Sequence, residues 1–485
     1  MVLEDLRDVA IRRDPAARLV GRGDIDATSV TLDSREVLPG SLFACVRGAS
    51  SDGHSFAVDA VRSGASALLV DHELDLTSVA PSEGGGLVPQ LVVSDVRRVL
   101  GPIAAAMCAE PSTRLEVIGV TGTNGKTTTT HLLAGILATD RQRCEVIGTL
   151  SGVRTTPEAP ELQRLLAGHA ASGVDVVAME VSSHALDQHR VDGTRFAVAV
   201  FTNLSVDHLD YHHDLESYYQ AKARLFTPEL CDHAVVNVDD DAGRRLAAEV
   251  TVPVTTCSSA DATGVHLSNE GAVFHWRGHR VDLHLAGRFN VANAVTAATA
   301  AAVMGVAPDV IARGLGATSM VPGRFERVHA GQPFAVVVDF AHTPDGLRHA
   351  LSAATELAAG RRTIVVFGCG GERDATKRPL MGQVAGESGA EVVLTADNSR
   401  SERTDDIIDE ILPGLAGIPG ARSRAIIEPD RRRAIALALS MAGPGDVVLV
   451  AGRGHEAVLT IGERREPFDD RSVAAAALAD MGWVS

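Results

Sequence analysis

Short, almost unbroken apolar runs alternate with helix-like segments along most of the chain, and this alternation restricts the fold more than any other feature. A first series begins near residue 113 and reads LEVIGVTG, CEVIGTL, VDVVAMEVS, FAVAVFTNLS and HAVVNVDD. A second begins near residue 331 and reads FAVVVDF, RTIVVFGCG, EVVLTADN and DVVLVAGRG. A strand wet on one face alternates apolar and polar residues, whereas a run apolar throughout is buried on both faces. Such strands separated by helices predict mainly parallel sheets covered on both sides. The segment GRFNVANAVTAATAAAVMG (287–305) is the helix that closes the first series.

Residues 1–112 read differently. SVTLDSREVLPGSLFACV predicts strand, Pro-Gly turn, strand, and SFAVDAVRSGASALLV predicts helix then strand. PSEGGGLVPQ (81–90) has the composition of a surface loop. A chain of 485 residues, at roughly 100–200 per domain, accommodates three α/β domains. Their expected bounds are 1–112, 113–330 and 331–485, the last a Rossmann-like unit with sites at the carboxyl ends of its strands. The rows contain no internal repeat and no coiled-coil pattern.

The hydrophobic content of 45% supplies several packed cores, and a net charge of −17 disfavours nucleic-acid backbones while permitting a local phosphate site. Six scattered cysteines with no C-x-x-C pair indicate reduced thiols rather than a disulfide framework or a zinc site. The opening MVLEDLRDVAIRRD is acidic early and has no apolar core, and no apolar run approaches the ~18 residues of a membrane span. The expectation is a cytoplasmic protein without membrane insertion.

Of the 45 basic residues other than histidine, only Lys126, Lys222 and Lys377 are lysines. Arginine stays charged everywhere, whereas a buried lysine can lose its proton. Each of the three retained lysines therefore calls for a chemical explanation. Lys126 closes LEVIGVTGTNGKTTTTHLLAGIL (115–137), which runs strand, glycine-rich turn, helix. That is the context of a P-loop, where inward N–H groups and a helix N-terminus hold phosphates. The spacing is G-T-N-G-K-T from Gly122 to Thr127, because the position needing glycine in the standard pattern is Val120. Thr123, Asn124 and Gly125 form the turn, Lys126 would reach the terminal phosphates of ATP, and Thr127 or Thr128 would bind Mg²⁺.

VVAMEVSSHALDQHR places Glu180 at the end of a buried strand, and FTNLSVDHLDYHHD places Asp207 and His208 at the end of the next. Both ends fall near the P-loop in a parallel sheet, where a carboxylate and a histidine can serve Mg²⁺. YYQAKARLF then carries Lys222 on a helix. Two readings of Lys222 fit: an ammonium pairing a phosphate or carboxylate, or a desolvated neutral amine that captures CO₂ as an anionic carbamate.

Taken together these strings, with TLDSREVLPGSLF, MEVSSHALDQHRV, GRFNVANAV, VPGRFERV, VDFAHTPDGL, FGCGGERDATKRPLMG, DNSR and GRGHE in that order, resemble the Mur ligases of peptidoglycan synthesis. The resemblance covers essentially the whole chain. It implies a monomeric enzyme that uses ATP and Mg²⁺ to add an amino acid to a UDP-N-acetylmuramoyl-dipeptide. It also implies that Lys222 is carbamylated and binds the metal with Thr127, Glu180 and His208. By the same resemblance Leu32, Ser34 and Ala49, Ser50 and Ser51 contact the uridine part, while Thr155, Thr156, Ser182, Gln188 and Arg190 hold the muramoyl-dipeptide. Asn293 is implied at the adenine, with Arg324 and Asp339 as further nucleotide contacts and Lys377 near the phosphates. Arg373, Asp397, Asn398, Ser399, Arg400, Gly452 and Glu456 are implied in the pocket for the incoming diamino acid.

Two residues depart from the family pattern. Ser399 stands where the diaminopimelate signature D-N-P-R has proline, and Phe340 stands where tyrosine is frequent. Arg400 is kept, and a guanidinium there can grip a second carboxylate. Without the proline the loop loses a fixed φ. A folylpolyglutamate-type synthetase is disfavoured by TLDSR and SSHALDQHR. A kinase or ATPase would need no amino-acid pocket, and a degenerate binding module would have lost these lysines first. A paralogous ligase for L-lysine or another amino acid is the alternative left open by Ser399.

Overall fold

Apolar runs at strand positions do form parallel sheets, and the helices that cover them are the ones the pattern marks out. The structure is a computed structural model that describes residues 1–48, 51–77, 87–152, 154–268, 270–318 and 320–483. The expected loop at 81–90 lies mostly outside the described residues.

The first sheet has five strands, in the order Arg18–Val20, Gln90–Val92, Ala67–Val70, Ser41–Ala44, Ser29–Thr31, with only Arg18–Val20 antiparallel. Ser29–Thr31 and Ser41–Ala44 pair in parallel, so the intervening Pro39–Gly40 turn does not make a hairpin. The helix Val96–Met107 leaves this unit and runs against the next, where Gly101 meets the Asp192 carbonyl so closely that an added Cβ would lie 1.9 Å from it.

The second sheet has six parallel strands, in the order Val254–Cys257, Cys231–Asn237, Phe196–Phe201, Glu116–Thr121, Val176–Glu180, Cys144–Ile147. Helices Lys126–Thr139 and Arg288–Val303 share one core on this sheet through Leu132, Leu133, Ile136, Val291 and Val295. A three-stranded antiparallel sheet, Thr263–Ser268, Gly271–Trp276 and His279–Leu283, closes that core with Phe274 and Trp276. It was not among the sequence expectations. Its middle strand buries Ala272, Phe274 and Trp276 and turns back at Arg277–Gly278, both at positive φ. That is the backbone signature of a tight hairpin turn.

The third sheet has the order Glu326–Arg327, Ala335–Asp339, Val447–Ala451, Thr363–Phe367, Glu391–Leu394, Ile426–Ile427, all parallel except the short first strand. A buried ion pair fixes its carboxyl edge. Arg431 donates to both oxygens of Asp470 at 2.8 and 2.7 Å and to the carbonyls of Ala396 and Ala451 at 3.0 Å. Both side chains are fully shielded from solvent. An unpaired buried charge costs several kcal/mol. Asp470→Ala should therefore lower the unfolding free energy by about 3–5 kcal/mol, read as a shift in the urea midpoint at unchanged slope.

Candidate active site

The glycine-rich turn is moulded by the strand beside it. Gly122 and Gly125 sit at φ +145° and +86°. A Cβ on Gly122 would lie 1.9 Å from Thr202 Oγ1, and one on Gly125 would lie 2.3 Å from Asn293 Oδ1. Thr202 Oγ1 donates to the Asn124 carbonyl at 2.6 Å, and Asn203 Oδ1 accepts from the Asn124 N–H at 2.9 Å. Thr202 and Asn203 were not among the expected site residues, although they follow directly on the apolar run FAVAVF.

The three lysines converge here. Lys126 Nζ donates to the carbonyls of Gly122 and Thr123, both at 2.9 Å. Lys222 Nζ donates to the same Gly122 carbonyl at 2.9 Å and lies 4.4 Å from the Tyr218 ring centre. Burial drives the Lys222 amine well below the ordinary lysine range, and the Lys126 charge pushes the same way. Lys377, the first residue of helix Lys377–Glu387, reaches Asp207 at 3.7 Å.

Asp207 and His208 lie beyond the strand end at Phe201, on a loop that turns through a left-handed His208 into a short helix. Asp207 is buried and faces His208 at 3.4 Å, His342 at 3.7 Å and Lys377 at 3.7 Å. Burial works against its charge, but the facing His342, His208 and Lys377 prevail and hold it well below the usual carboxylate range. Burial also lowers His208 to about 3, so its ring is neutral at physiological pH. Glu180 ends its strand as expected. It accepts from Thr127 Oγ1 at 2.9 Å, the Thr149 N–H at 2.8 Å and Thr149 Oγ1 at 3.1 Å. Thr127 is also bonded by Arg324 Nη2 at 2.8 Å, and Arg324 stacks on Phe340 with its Nε unpaired.

A cavity of about 1300 Å³ opens between the second and third sheets. Its walls include the turn from Thr123 to Thr128, with Glu180, His208, Asn293, Arg324 and Asp339. Thr155, Thr156, Ser182 and Arg190 form one side, and Arg373, Lys377, Asp397, Asn398, Arg400, Gly452 and Glu456 the other. Several expected residues are not on this wall. Gly122 and Lys222 lie behind the turn, and Gln188 stands behind Arg190, holding its guanidinium at 2.7 Å. Ser399 is fully buried under its loop, so it does not touch a ligand in the cavity. Asn293 meets Gly125 of the phosphate turn. Asp239, Ser259, Ala260 and Ala262 form a further wall that sequence reasoning missed, because no motif marks it.

Leu32, Ser34 and Ser51 belong to the first unit, away from this cavity, and Ala49 and Ser50 lie outside the described residues. That unit docks through Arg97, which donates to the Gln188 carbonyl at 3.3 Å and pairs with Glu158 at 3.5 Å. Among the described residues one group places three possible metal ligands together, His54, Asp71 and His72, and there Arg47 already pairs with Asp71 at 2.8 Å.

A phosphate turn facing an acceptor pocket across a closed interface defines an ATP-dependent ligase. The chain belongs to the Mur ligase family: residues 26–107 match the model described as "Mur ligase family, catalytic domain", 120–301 the "Mur ligase middle domain", and 323–454 the "Mur ligase, glutamate ligase domain". It is 42% identical to the UDP-N-acetylmuramoyl-L-alanyl-D-glutamate–2,6-diaminopimelate ligase of Streptomyces coelicolor, over 97% of this chain and 98% of that one. It is 44% identical to the enzyme of the same name from Gloeobacter violaceus, over 94% of each. A solved structure of a ligase with that name superposes with a TM-score of 0.67 at 31% identity, covering 99% of both chains.

Gly125→Ala should displace Asn293 and strain the turn. ATP affinity measured by calorimetry should fall roughly ten- to hundredfold, with binding of the nucleotide-sugar substrate unchanged.

Proposed function

We propose that this chain joins meso-2,6-diaminopimelate to the D-glutamyl carboxylate of UDP-N-acetylmuramoyl-L-alanyl-D-glutamate, at the expense of ATP. The observation that carries this reading is the pair Arg373 and Arg400 on the acceptor wall. Neither guanidinium forms an ion pair among the described residues, and burial together with Arg373 lowers the Arg400 pKa. Two adjacent guanidinium groups call for an anion, which a second carboxylate supplies and the side chain of lysine does not. Asp397 and Glu456 on the same wall suit the amino groups.

The carboxylate oxygen attacks the γ-phosphorus of ATP, ADP leaves, and an acyl phosphate forms. The amine of the diamino acid then attacks that carbonyl, a proton is lost, and phosphate leaves. Lys126, Arg324 and Lys377 supply positive charge where two anions must meet. The Asp207 contacts with His342 and Lys377, and the Asn124 bond to Asp345 at 3.2 Å, keep the third unit against the phosphate turn and exclude water from the acyl phosphate.

The residues present suit Mg²⁺. Glu180 is buried with no ion pair among the described residues, the Thr127 hydroxyl is already on it, His208 is neutral, and Lys222 is driven towards the neutral amine that captures CO₂. Thr127, Glu180, His208 and carbamylated Lys222 would hold the ion, which neutralises phosphate charge when bound. On this reading the enzyme works in the cytoplasm and acts as a monomer. No helix among the described residues is long and apolar enough to cross a membrane.

Purified protein with ATP, Mg²⁺, the UDP-muramoyl-dipeptide and single amino acids should yield a tripeptide product by mass spectrometry with meso-diaminopimelate. Product from L-lysine alone would instead identify the paralogous ligase that Ser399 leaves open. Lys222→Ala should abolish product, and Lys222→Arg should fail to restore it. An active arginine variant would exclude the carbamate.

A further inference from the structure

We propose that a half-buried hydroxyl bridge between Ser399 and Thr404 positions Arg400 in the acceptor pocket and thereby sets the preference for an amino acid with a second carboxylate. The inference rests on the acceptor assigned above.

The loop Asp397–Arg400 leaves the carboxyl end of strand Glu391–Leu394. Asn398 is held from both ends: its Oδ1 accepts from Arg453 Nη1 at 3.2 Å and the Thr460 N–H at 2.8 Å, and its Nδ2 donates to Glu456 at 2.7 Å. Arg400 has φ +52°, a left-handed conformation uncommon for a residue with a Cβ, held here by its surroundings. Its backbone is pinned on one side, by N–H donation to Thr460 O at 3.2 Å and acceptance from Gly462 N–H at 2.6 Å. Its Nη1 donates to the carbonyls of Gly371 and Asn398. Nε and Nη2 donate to no group among the described residues, which leaves them for a ligand.

On the other side the constraint is Ser399. Its side chain is fully buried, with Oγ 2.7 Å from Thr404 Oγ1 and 3.3 Å from the Asp397 carbonyl. The proton count closes: Thr404 donates to Ser399, and Ser399 donates to Asp397. Thr404 is the first residue of helix Thr404–Ala416, so the bridge ties the loop to a rigid element. Gly371 presses on the Ser399 carbonyl, where an added Cβ would lie 1.9 Å from the oxygen. Ser399 is not on the cavity wall, so any effect it has on the acceptor passes through the wall residues of its own loop, Arg400 on one side and Asp397 and Asn398 on the other. It is a positioning residue.

Steady-state kinetics on the full chain, with ATP and the nucleotide-sugar saturating, test this. Ser399→Ala and Thr404→Val should each raise KM for meso-diaminopimelate about 5- to 20-fold, with kcat within about twofold and KM for ATP unchanged. Discrimination against L-lysine should fall by the same factor. The double variant should be no worse than either single one, and Thr404→Ser, which keeps the hydroxyl, should retain the wild-type KM. Should Ser399→Ala fail to fold, Thr404→Val reads the same bridge from outside the loop. Unchanged KM in folded single variants, or additive effects in the double variant, would overturn the proposal. A wild-type enzyme that ligates only L-lysine overturns the assigned acceptor and the second-carboxylate preference, and the bridge is then judged by the same variants on the KM for lysine.

Discussion

A single buried carboxylate holds the catalytic geometry together. Asp207 lies on a loop of the central unit, yet two of its three cationic or imidazole neighbours, His342 and Lys377, come from the third unit. Removing a carboxylate from water is costly unless charges and hydrogen bonds replace the water. The His208 N–H supplies part of the replacement from within the same unit at 3.0 Å, and His342 and Lys377 of the third unit supply the rest, so closure of the cavity completes the environment of Asp207.

The acceptor side is stiffened in a different way, by a chain of buried polar groups that ends on the cavity wall. Arg431 and Asp470 tie two strand ends, Arg453 lies 3.9 Å from Asp470, and its Nη1 orients Asn398, which in turn holds Glu456. Each partner has one orientation that satisfies the next. A ligand entering this wall meets groups whose rotamers are already fixed, which reduces the ordering cost of binding.

The parallel sheets were legible because runs such as VVAM and IVVF are apolar at every position, and only two-sided burial explains that. The phosphate turn was legible because glycine, lysine and threonine follow such a run. The antiparallel sheet 263–283 was carried by a weaker alternation at Ala272, Phe274 and Trp276 and went unread. Asp207 and His208 were placed at a strand end, whereas the chain continues for several residues past Phe201 before reaching them. The roles of Thr202, Asn203 and Asp345 depend on contacts between segments distant in sequence, which no local pattern encodes. Ser399 is the instructive case: its motif pointed to the ligand, but its hydroxyl points to the helix behind.

The scarcity of lysine has a practical side. Two of the three amines, Lys222 and Lys377, are buried, and the third is half-buried in the phosphate turn. The outer surface of the folded chain is therefore almost blank to lysine-directed chemistry, whether acylation in a cell or a labelling reagent in a tube. Any side-chain amine that does react belongs to the nucleotide site, so the extent of acylation becomes a direct gauge of how open that site is.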